Sequence, residues 1–125
     1  MPRKAKPAPT RPMAAADFSD VPVVNAKAGE TLTISVDVDN PSDPYLVIFR
    51  KTTVMIGQVD REETVQDLPA GTHRLSWSFL HREKGWKHRI TAAAGREAPV
   101  LLDERSEAKK DPPYTIGVAL VVVQP

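Results

Sequence analysis

The segment from residue 73 to residue 89 carries the side chains best suited to holding a ligand. Its positive charges are opposed by Glu83 alone, and Trp86 lies among them. Cations beside an aromatic ring suit an anionic ligand, an acidic sugar or a nucleic acid, because the charges attract the anion and the ring offers a flat apolar surface. We therefore predict a ligand site made of Arg74, Arg82, Lys84, Trp86, Lys87, His88 and Arg89. The alternative is that Trp86 caps the core and that the charges keep a strand edge solvated.

Three aspartates at the end of one predicted strand form a candidate calcium site. Asp37, Asp39 and Asp43 lie where a strand runs into a turn, and such a position can cluster the carboxylate oxygens that calcium prefers. An EF-hand is excluded, because its loop needs glycine at the sixth position and glutamate at the twelfth, where this chain has Ser42 and Ile48. The alternative is a solvated strand face followed by a turn that an aspartate stabilises.

The sequence contains no arrangement of residues that is typical of an active site. It lacks the nucleophile elbow, the helical zinc motif, the glycine-rich dinucleotide loop and the phosphate-binding loop. The absence of cysteine removes thiol nucleophiles and thiolate metal ligands. His73, His81 and His88 are spread along the chain, which favours surface or boundary roles over a zinc site. We expect a protein that is not an enzyme and has no cofactor, with calcium as the open alternative.

The segments that must position these residues alternate apolar and polar side chains with a period of two. This period is typical of strands that are buried on one face, and it is clearest at residues 30–39 and 73–80. Residues 86–93 continue the pattern after the polar stretch 81–85. That spacing predicts a β-hairpin between residues 73–80 and 86–93.

Seven to eight short strands with frequent turns and no convincing helix predict an all-β fold. The expected architecture is a two-layer antiparallel β-sandwich of the jelly-roll or immunoglobulin-like type. Residues 94–113 are polar and contain prolines. A long loop is expected there, with a short strand at 100–102 or a helical turn at 104–109.

Two of the predicted strands, residues 45–49 and 114–124, are apolar on both faces. A strand of a two-layer sandwich has one wet face and should alternate. The second face therefore needs a cover, which is the long loop, the N-terminal segment or a second copy of the chain. The last of these predicts a homo-oligomer.

The length of 125 residues indicates one domain preceded by a basic tail. Residues 1–16, rich in proline, alanine and positive charge, are expected to be disordered, and residues 17–125 to form the domain. The basic start does not lead into the apolar core of a secretory signal, and no apolar run approaches the roughly 20 residues of a membrane helix. We expect a cytoplasmic protein without a membrane span, with export by another route left open.

The charge balance does not indicate a class of binding partner, because the formal net charge is only +1. The basic tail allows weak contact with nucleic acid through phosphates. A solubilising or linker role is the favoured interpretation of the tail, since it has no aromatic residue among its charges.

Three segments, in this order, resemble known bacterial modules: residues 28–36 (AGETLTISV), 45–49 (YLVIF) and 68–75 (LPAGTHRL). Such strands and turns recur in β-sandwich modules of the prepeptidase C-terminal type and in related carbohydrate-binding jelly rolls. The resemblance covers residues 26–80 and implies a lectin-like accessory module. It transfers no site residue. A chain without a secretion signal departs from such modules, which are usually secreted and fused to enzymes.

Two functions follow as hypotheses. The first is a non-enzymatic binding module that recognises a carbohydrate or an anionic ligand. The second is a structural or assembly protein that homo-oligomerises through its apolar sheet faces.

Overall fold

The structure is a computed structural model that describes residues 21–38, 44–80, 87–106 and 114–125. Within these ranges the secondary structure consists of strands without a helix, which confirms the prediction of an all-β fold. The strands are β1 (Val23–Lys27), β2 (Leu32–Val38), β3 (Tyr45–Phe49), β4 (Thr52–Gly57), β5 (Arg61–Val65), β6 (Gly71–Leu80), β7 (Lys87–Ala94), β8 (Val100–Ser106) and β9 (Tyr114–Gln124). The predicted disordered tail, residues 1–16, lies outside the described residues.

Two sheets pack face to face as a sandwich. One sheet has five strands in the order β1-β9-β6-β3-β4, and the other has four in the order β5-β2-β7-β8. Neighbouring strands are antiparallel, except that β1 adds to β9 in parallel. The predicted two-layer sandwich is therefore present, with nine strands rather than seven or eight.

The core lies between the sheets and follows from the period of two. On β2, Leu32, Ile34 and Val36 are buried, while the residues between them are more exposed. The inward faces of β3, β6, β7 and β9 supply most of the other large core side chains. Burial of each large aliphatic side chain stabilises the fold by about 1.5–3 kcal/mol. A shift of one residue in register would point these side chains toward the solvent, so the alternation determines which face of each strand points inward.

The predicted hairpin between residues 73–80 and 86–93 is wrong. β6 pairs with β3 and β9, whereas β7 pairs with β2 and β8. The two strands therefore lie in different sheets. A short polar connection is compatible with a hairpin and with a crossing between sheets, and alternation does not distinguish them.

The predicted long loop at residues 94–113 is also wrong over much of its length. Residues 100–106 form β8, an edge strand paired with β7. The strand expected at 100–102 is present but longer, and the helical turn expected to begin at residue 104 is excluded for residues 104–106. Charged residues at the end of β8 concealed it, because an edge strand tolerates them on its exposed side.

At one end of the sandwich every turn is described, and we call this end the turn end. Its turns are residues 28–31, 50–51, 66–70 and 95–99. Backbone hydrogen bonds join three of them: the Gly29 amide donates to the Leu68 carbonyl at 2.8 Å, and the Gly95 amide donates to the Thr31 carbonyl at 3.0 Å. The turn end is therefore a connected backbone framework on which side chains can be held in place.

Candidate anion-binding site

Arg50 and Lys51 form the whole connection between β3 and β4. Their φ angles are 53° and 67°, in the left-handed region that a two-residue hairpin turn of type I′ requires and that Asn-Gly fills most easily. For a residue with a Cβ atom this conformation costs about 1–2 kcal/mol. Two cations thus occupy a turn in which other residues would be less strained. Such outliers are concentrated at functional positions.

β6 places Arg74 beside this turn. The register pairs Phe49 with Leu75, and the Arg50 amide donates a 3.1 Å hydrogen bond to the Arg74 carbonyl. Because Leu75 is buried, the alternation along β6 turns Arg74 to the outer face of the five-stranded sheet. Two cations of the β3–β4 turn and one of the neighbouring strand β6 therefore share this corner of the molecule.

A hollow of about 660 Å³ lies among these cations. It is lined by Ile48, Arg50, Lys51, Thr72, His73, Arg74 and Ser76. This volume falls within the range of about 300–1,000 Å³ that small-molecule sites occupy. Two hydroxyl groups and an imidazole thus accompany the three cations. We call this site the cationic hollow.

His73 is held firmly at the edge of the cationic hollow. Its Nε2 lies 2.8 Å from the Pro69 carbonyl, and a carbonyl oxygen only accepts, so this nitrogen donates the hydrogen bond. The ring also meets Phe49 edge-on, with the ring centres 5.9 Å apart. His73 therefore shapes the wall of the hollow and supports the turn at residues 66–70.

The cations of the hollow have no acidic partner within the described part of the chain. The ion pairs found there are Arg61–Glu63, His88–Asp103, Arg89–Glu104 and Arg105–Asp103, and none includes Arg50, Lys51 or Arg74. The strands of the five-stranded sheet contain no aspartate or glutamate at all. Cations that are close together and unpaired create a positive potential, which favours binding of an anion.

The predicted ligand residues are divided between the two sheets. Arg74 lies on the outer face of the five-stranded sheet, and of the predicted residues that the structure describes it is the one that lines the hollow. Lys87 and Arg89 are exposed on β7, in the other sheet. The Nε of Arg89 donates to Glu104 at 2.8 Å, so its charge is already paired. Arg82, Lys84 and Trp86 lie outside the described residues.

His88, also predicted to contact ligand, points into the core instead. Its side chain is fully buried, its ring stacks on Phe79 with the centres 4.0 Å apart, and its Nε2 lies 2.8 Å from Asp103 Oδ2. The interpretation of His88 as a surface ligand group is therefore wrong. Parity along β7 explains the difference, since His88 shares the inward face with Ile90.

Asp103 is the acidic partner that holds His88. Burial tends to raise the pKa of the Asp103 carboxyl, but the hydrogen bond and charge of His88, helped by Arg105 and Trp77, outweigh it and lower this pKa below 3.8. The Trp77 indole Nε1 is buried and makes no hydrogen bond of normal geometry with the described residues. His88 and Trp77 are buried and Asp103 is half-buried at the edge of the core, and we assign this cluster a structural role.

The predicted calcium site has one described member. Asp37 is exposed on β2, where it faces Arg89 in register, and Asp39 and Asp43 lie outside the described residues. Among the residues that are described, no three histidine, aspartate or glutamate side chains are grouped so that they could hold a metal ion. Calcium at Asp37, Asp39 and Asp43 stays a prediction.

Sequence reasoning missed Arg50 and Lys51. Two runs of residues that favour strands, 45–49 and 52–56, are separated by two residues only, and that spacing is the signal of a hairpin. The signal was hidden because the Asn-Gly or Asp-Gly pair that usually marks such a turn is absent.

Comparisons of this chain with models of protein families, with curated proteins and with solved structures find no match. The resemblance to prepeptidase C-terminal and carbohydrate-binding modules stays a prediction. Among the described residues no helix is long and apolar enough to cross a membrane.

Proposed function

We propose that the protein is a non-enzymatic binding module that holds a small anion or an acidic carbohydrate in the cationic hollow. One observation carries the proposal: Arg50, Lys51 and Arg74 surround a single hollow and none of them forms an ion pair with a described residue. Bringing three such cations together without acids is unfavourable in itself, and an anion relieves the repulsion. Thr72 and Ser76 add hydroxyl groups that can donate to anionic oxygens.

The turn supports the same proposal. Arg50 and Lys51 adopt positive φ angles, although Asn-Gly would form this turn with less strain. Selection for charge at these positions accounts for the strained choice. The hydrogen bond between the Arg50 amide and the Arg74 carbonyl fixes the backbone of the two arginines side by side, so that only their side chains must be ordered when a ligand binds.

Calorimetric titration tests the proposal. We expect a sulfated disaccharide to bind and a neutral disaccharide of the same size to bind much more weakly. Arg74→Gln should weaken binding about 10- to 100-fold, because a hydrogen bond to a charged group contributes about 1.5–3 kcal/mol. Arg96→Gln is the matched control, since Arg96 is exposed in the turn at residues 95–99 and does not line the hollow.

Two results would contradict this assignment. One is equal affinity for the neutral and the sulfated disaccharide. The other is equal weakening by the Arg74 and Arg96 substitutions, which would indicate diffuse attraction by surface charge.

A second candidate function, assembly, is favoured by the outer face of the five-stranded sheet. Large apolar side chains stand exposed there, among them Val23, Ile56, Tyr114 and Ile116, and Ile116 is 70% exposed. The described part of the 94–113 segment pairs into the other sheet and so does not cover this face. Several exposed apolar side chains on one sheet face favour burial against a partner, and a second copy of the chain is the candidate partner.

A further inference from the structure

A second opening lies next to the cationic hollow, where the two sheets part. β4 is the edge of the five-stranded sheet, and β5 is the edge of the four-stranded sheet. At the turn end an opening of about 330 Å³ lies between them, lined by Phe49, Arg50, Thr52, Val54 and Val65. We call this opening the flank cleft. Its volume is near the lower end of the range of small-molecule sites.

The flank cleft is apolar apart from its rim. Phe49 is buried at its base, and Val54 on β4 and Val65 on β5 are half-buried on its sides. No carboxylate lines it. The opposite flank of the sandwich differs, because β1 packs there against β7. The β4–β5 flank therefore offers apolar surface that the described residues leave partly exposed.

Arg50 belongs to both openings. Arg50 therefore lies between the mouth of the apolar cleft and the edge of the cationic hollow. An anion paired with Arg50 would have cations and hydroxyl groups on one side and the side chains of Val54 and Val65 on the other. A ligand with an anionic head and a short apolar chain would use both sides at once.

We infer that the ligand class of this site is an amphipathic anion, whose head is held by Arg50 in the cationic hollow and whose apolar chain enters the flank cleft. The inference rests on the proposed function, since it takes anion binding at the hollow as given. Beyond the proposed function, the inference assigns an apolar part to the ligand and places it in the flank cleft. Burial of methylene groups between Val54, Val65 and Phe49 supplies affinity, and the cations supply orientation.

A series of alkyl phosphates tests the inference by titration calorimetry, at concentrations below those at which the longer members form micelles. We expect methyl phosphate to bind weakly and the affinity to rise up to about fourfold for each added methylene group. The increase should stop when the cleft is filled.

Two variants distinguish the contacts of the ligand's alkyl chain from those of its phosphate head. Val54→Thr combined with Val65→Thr keeps strand propensity and size but puts hydroxyl groups in the cleft, and should flatten the dependence on chain length without weakening methyl phosphate. Arg50→Gln should weaken every member of the series by the same factor. Ile56→Thr is the matched control, because Ile56 is exposed on β4 and does not line the cleft.

The outcomes distinguish this inference from the proposed function. Equal affinity for methyl and octyl phosphate would overturn the inference and leave anion binding intact. Absence of binding by every member of the series and by the sulfated disaccharide would overturn both. A chain-length dependence that Ile56→Thr removes and the paired threonine variant keeps would also overturn it, because the chain would then lie on the outer face of the sheet.

Discussion

At the scale of single residues, the clearest lesson comes from His88. The alternation along β7 is enough to place it inward beside Ile90, but its partner lies on another strand. Asp103 pairs in register with Ile90, so its carboxylate reaches His88 diagonally across β7 and β8. A buried imidazole needs such a partner, because an unsatisfied polar group in the core is costly. What resembled a ligand group in the sequence is a satisfied core histidine.

Replacement of Asp103 should make the protein less stable at neutral pH. Asp103→Asn leaves His88 with a weaker partner, and we expect a loss of about 1–3 kcal/mol in the free energy of unfolding. The pKa of Asp103 in the folded protein lies below 3.8, the ordinary value for an aspartate. The stability that the charged Asp103 contributes is therefore fully present above the unfolded-state pKa, and it is lost as the pH falls through the folded-state pKa. The two proteins should become similar in stability in acid.

Urea unfolding at neutral and acidic pH measures this difference. Glu104→Gln is the control, since the exposed Arg89–Glu104 pair should contribute no more than about 1 kcal/mol. A stability difference for Asp103→Asn that is the same at both pH values would show that the charge of Asp103 is not the cause.

Gly117 and Trp77 show a second constraint at this scale. The two residues are paired in register on β9 and β6. A Cβ atom on Gly117 would clash with Cε2 of the Trp77 indole, so the ring lies directly over the glycine. The large core position on β6 thus requires a residue without a side chain on its neighbour. This pairing is not visible from either segment alone.

At the scale of elements, the β3–β4 turn is where sequence preference and structure disagree most. Arg50 and Lys51 take positive φ angles that Asn and Gly adopt with less strain. A protein optimised only for folding would not keep this pair. Retention of two cations here is consistent with a functional demand on the turn.

Exchange of the turn residues should separate stability from binding. We expect Arg50→Asn with Lys51→Gly to raise the free energy of unfolding by about 1 kcal/mol, because relief of strain exceeds the added flexibility of glycine. The melting temperature should rise by roughly 3–6 °C. The same variant should lose binding of the sulfated disaccharide.

A glutamine pair at the same positions is the matched control for this exchange. Arg50→Gln with Lys51→Gln removes the charges and keeps the strain, so it should lose binding without a gain in melting temperature. Unchanged binding in the Asn-Gly variant would show that the turn does not hold the ligand.

Prediction from sequence succeeded for strands in which apolar and polar residues alternate clearly. It failed where the answer depends on which strands pair with each other. β2 and the core-facing side of β6 follow directly from their apolar periodicity. β8 was concealed by its charged end, and the pairing of β6 with β7 was predicted wrongly. Arg74 was predicted to be a ligand residue, but Arg50 and Lys51 were not, since they are brought to it by β3 rather than by β7.

At the scale of the whole molecule, the two sheets carry different charge. The strands of the four-stranded sheet contain five acidic residues, Asp37, Glu62, Glu63, Asp103 and Glu104, and those of the five-stranded sheet contain none. The outer face of the five-stranded sheet is therefore apolar and partly cationic. This asymmetry supports the proposal that the five-stranded sheet presents its outer face to a ligand or a partner.

Assembly through the apolar face predicts association that depends on protein concentration. We expect Ile116→Asp to abolish it, because a carboxylate would be buried in the contact. Leu101→Asp is the matched control, since Leu101 is 50% exposed on β8 of the other sheet. Sedimentation velocity across a range of concentrations measures the effect.

A monomer at every concentration would remove assembly as a candidate function. Equal effects of the Ile116 and Leu101 substitutions would place the contact elsewhere.

The sequence by itself determined the all-β class, the inward faces of the clearest strands and the absence of familiar catalytic motifs. These properties follow from local periodicity and composition, which are readable within a few residues. Only the tertiary structure decided that Arg74 meets Arg50 and Lys51, that His88 meets Asp103, and that an apolar cleft opens beside Arg50. Those neighbours depend on which strands pair and where each chain segment crosses between sheets. Strand pairing is set by the fit of the whole core, and no single segment contains it.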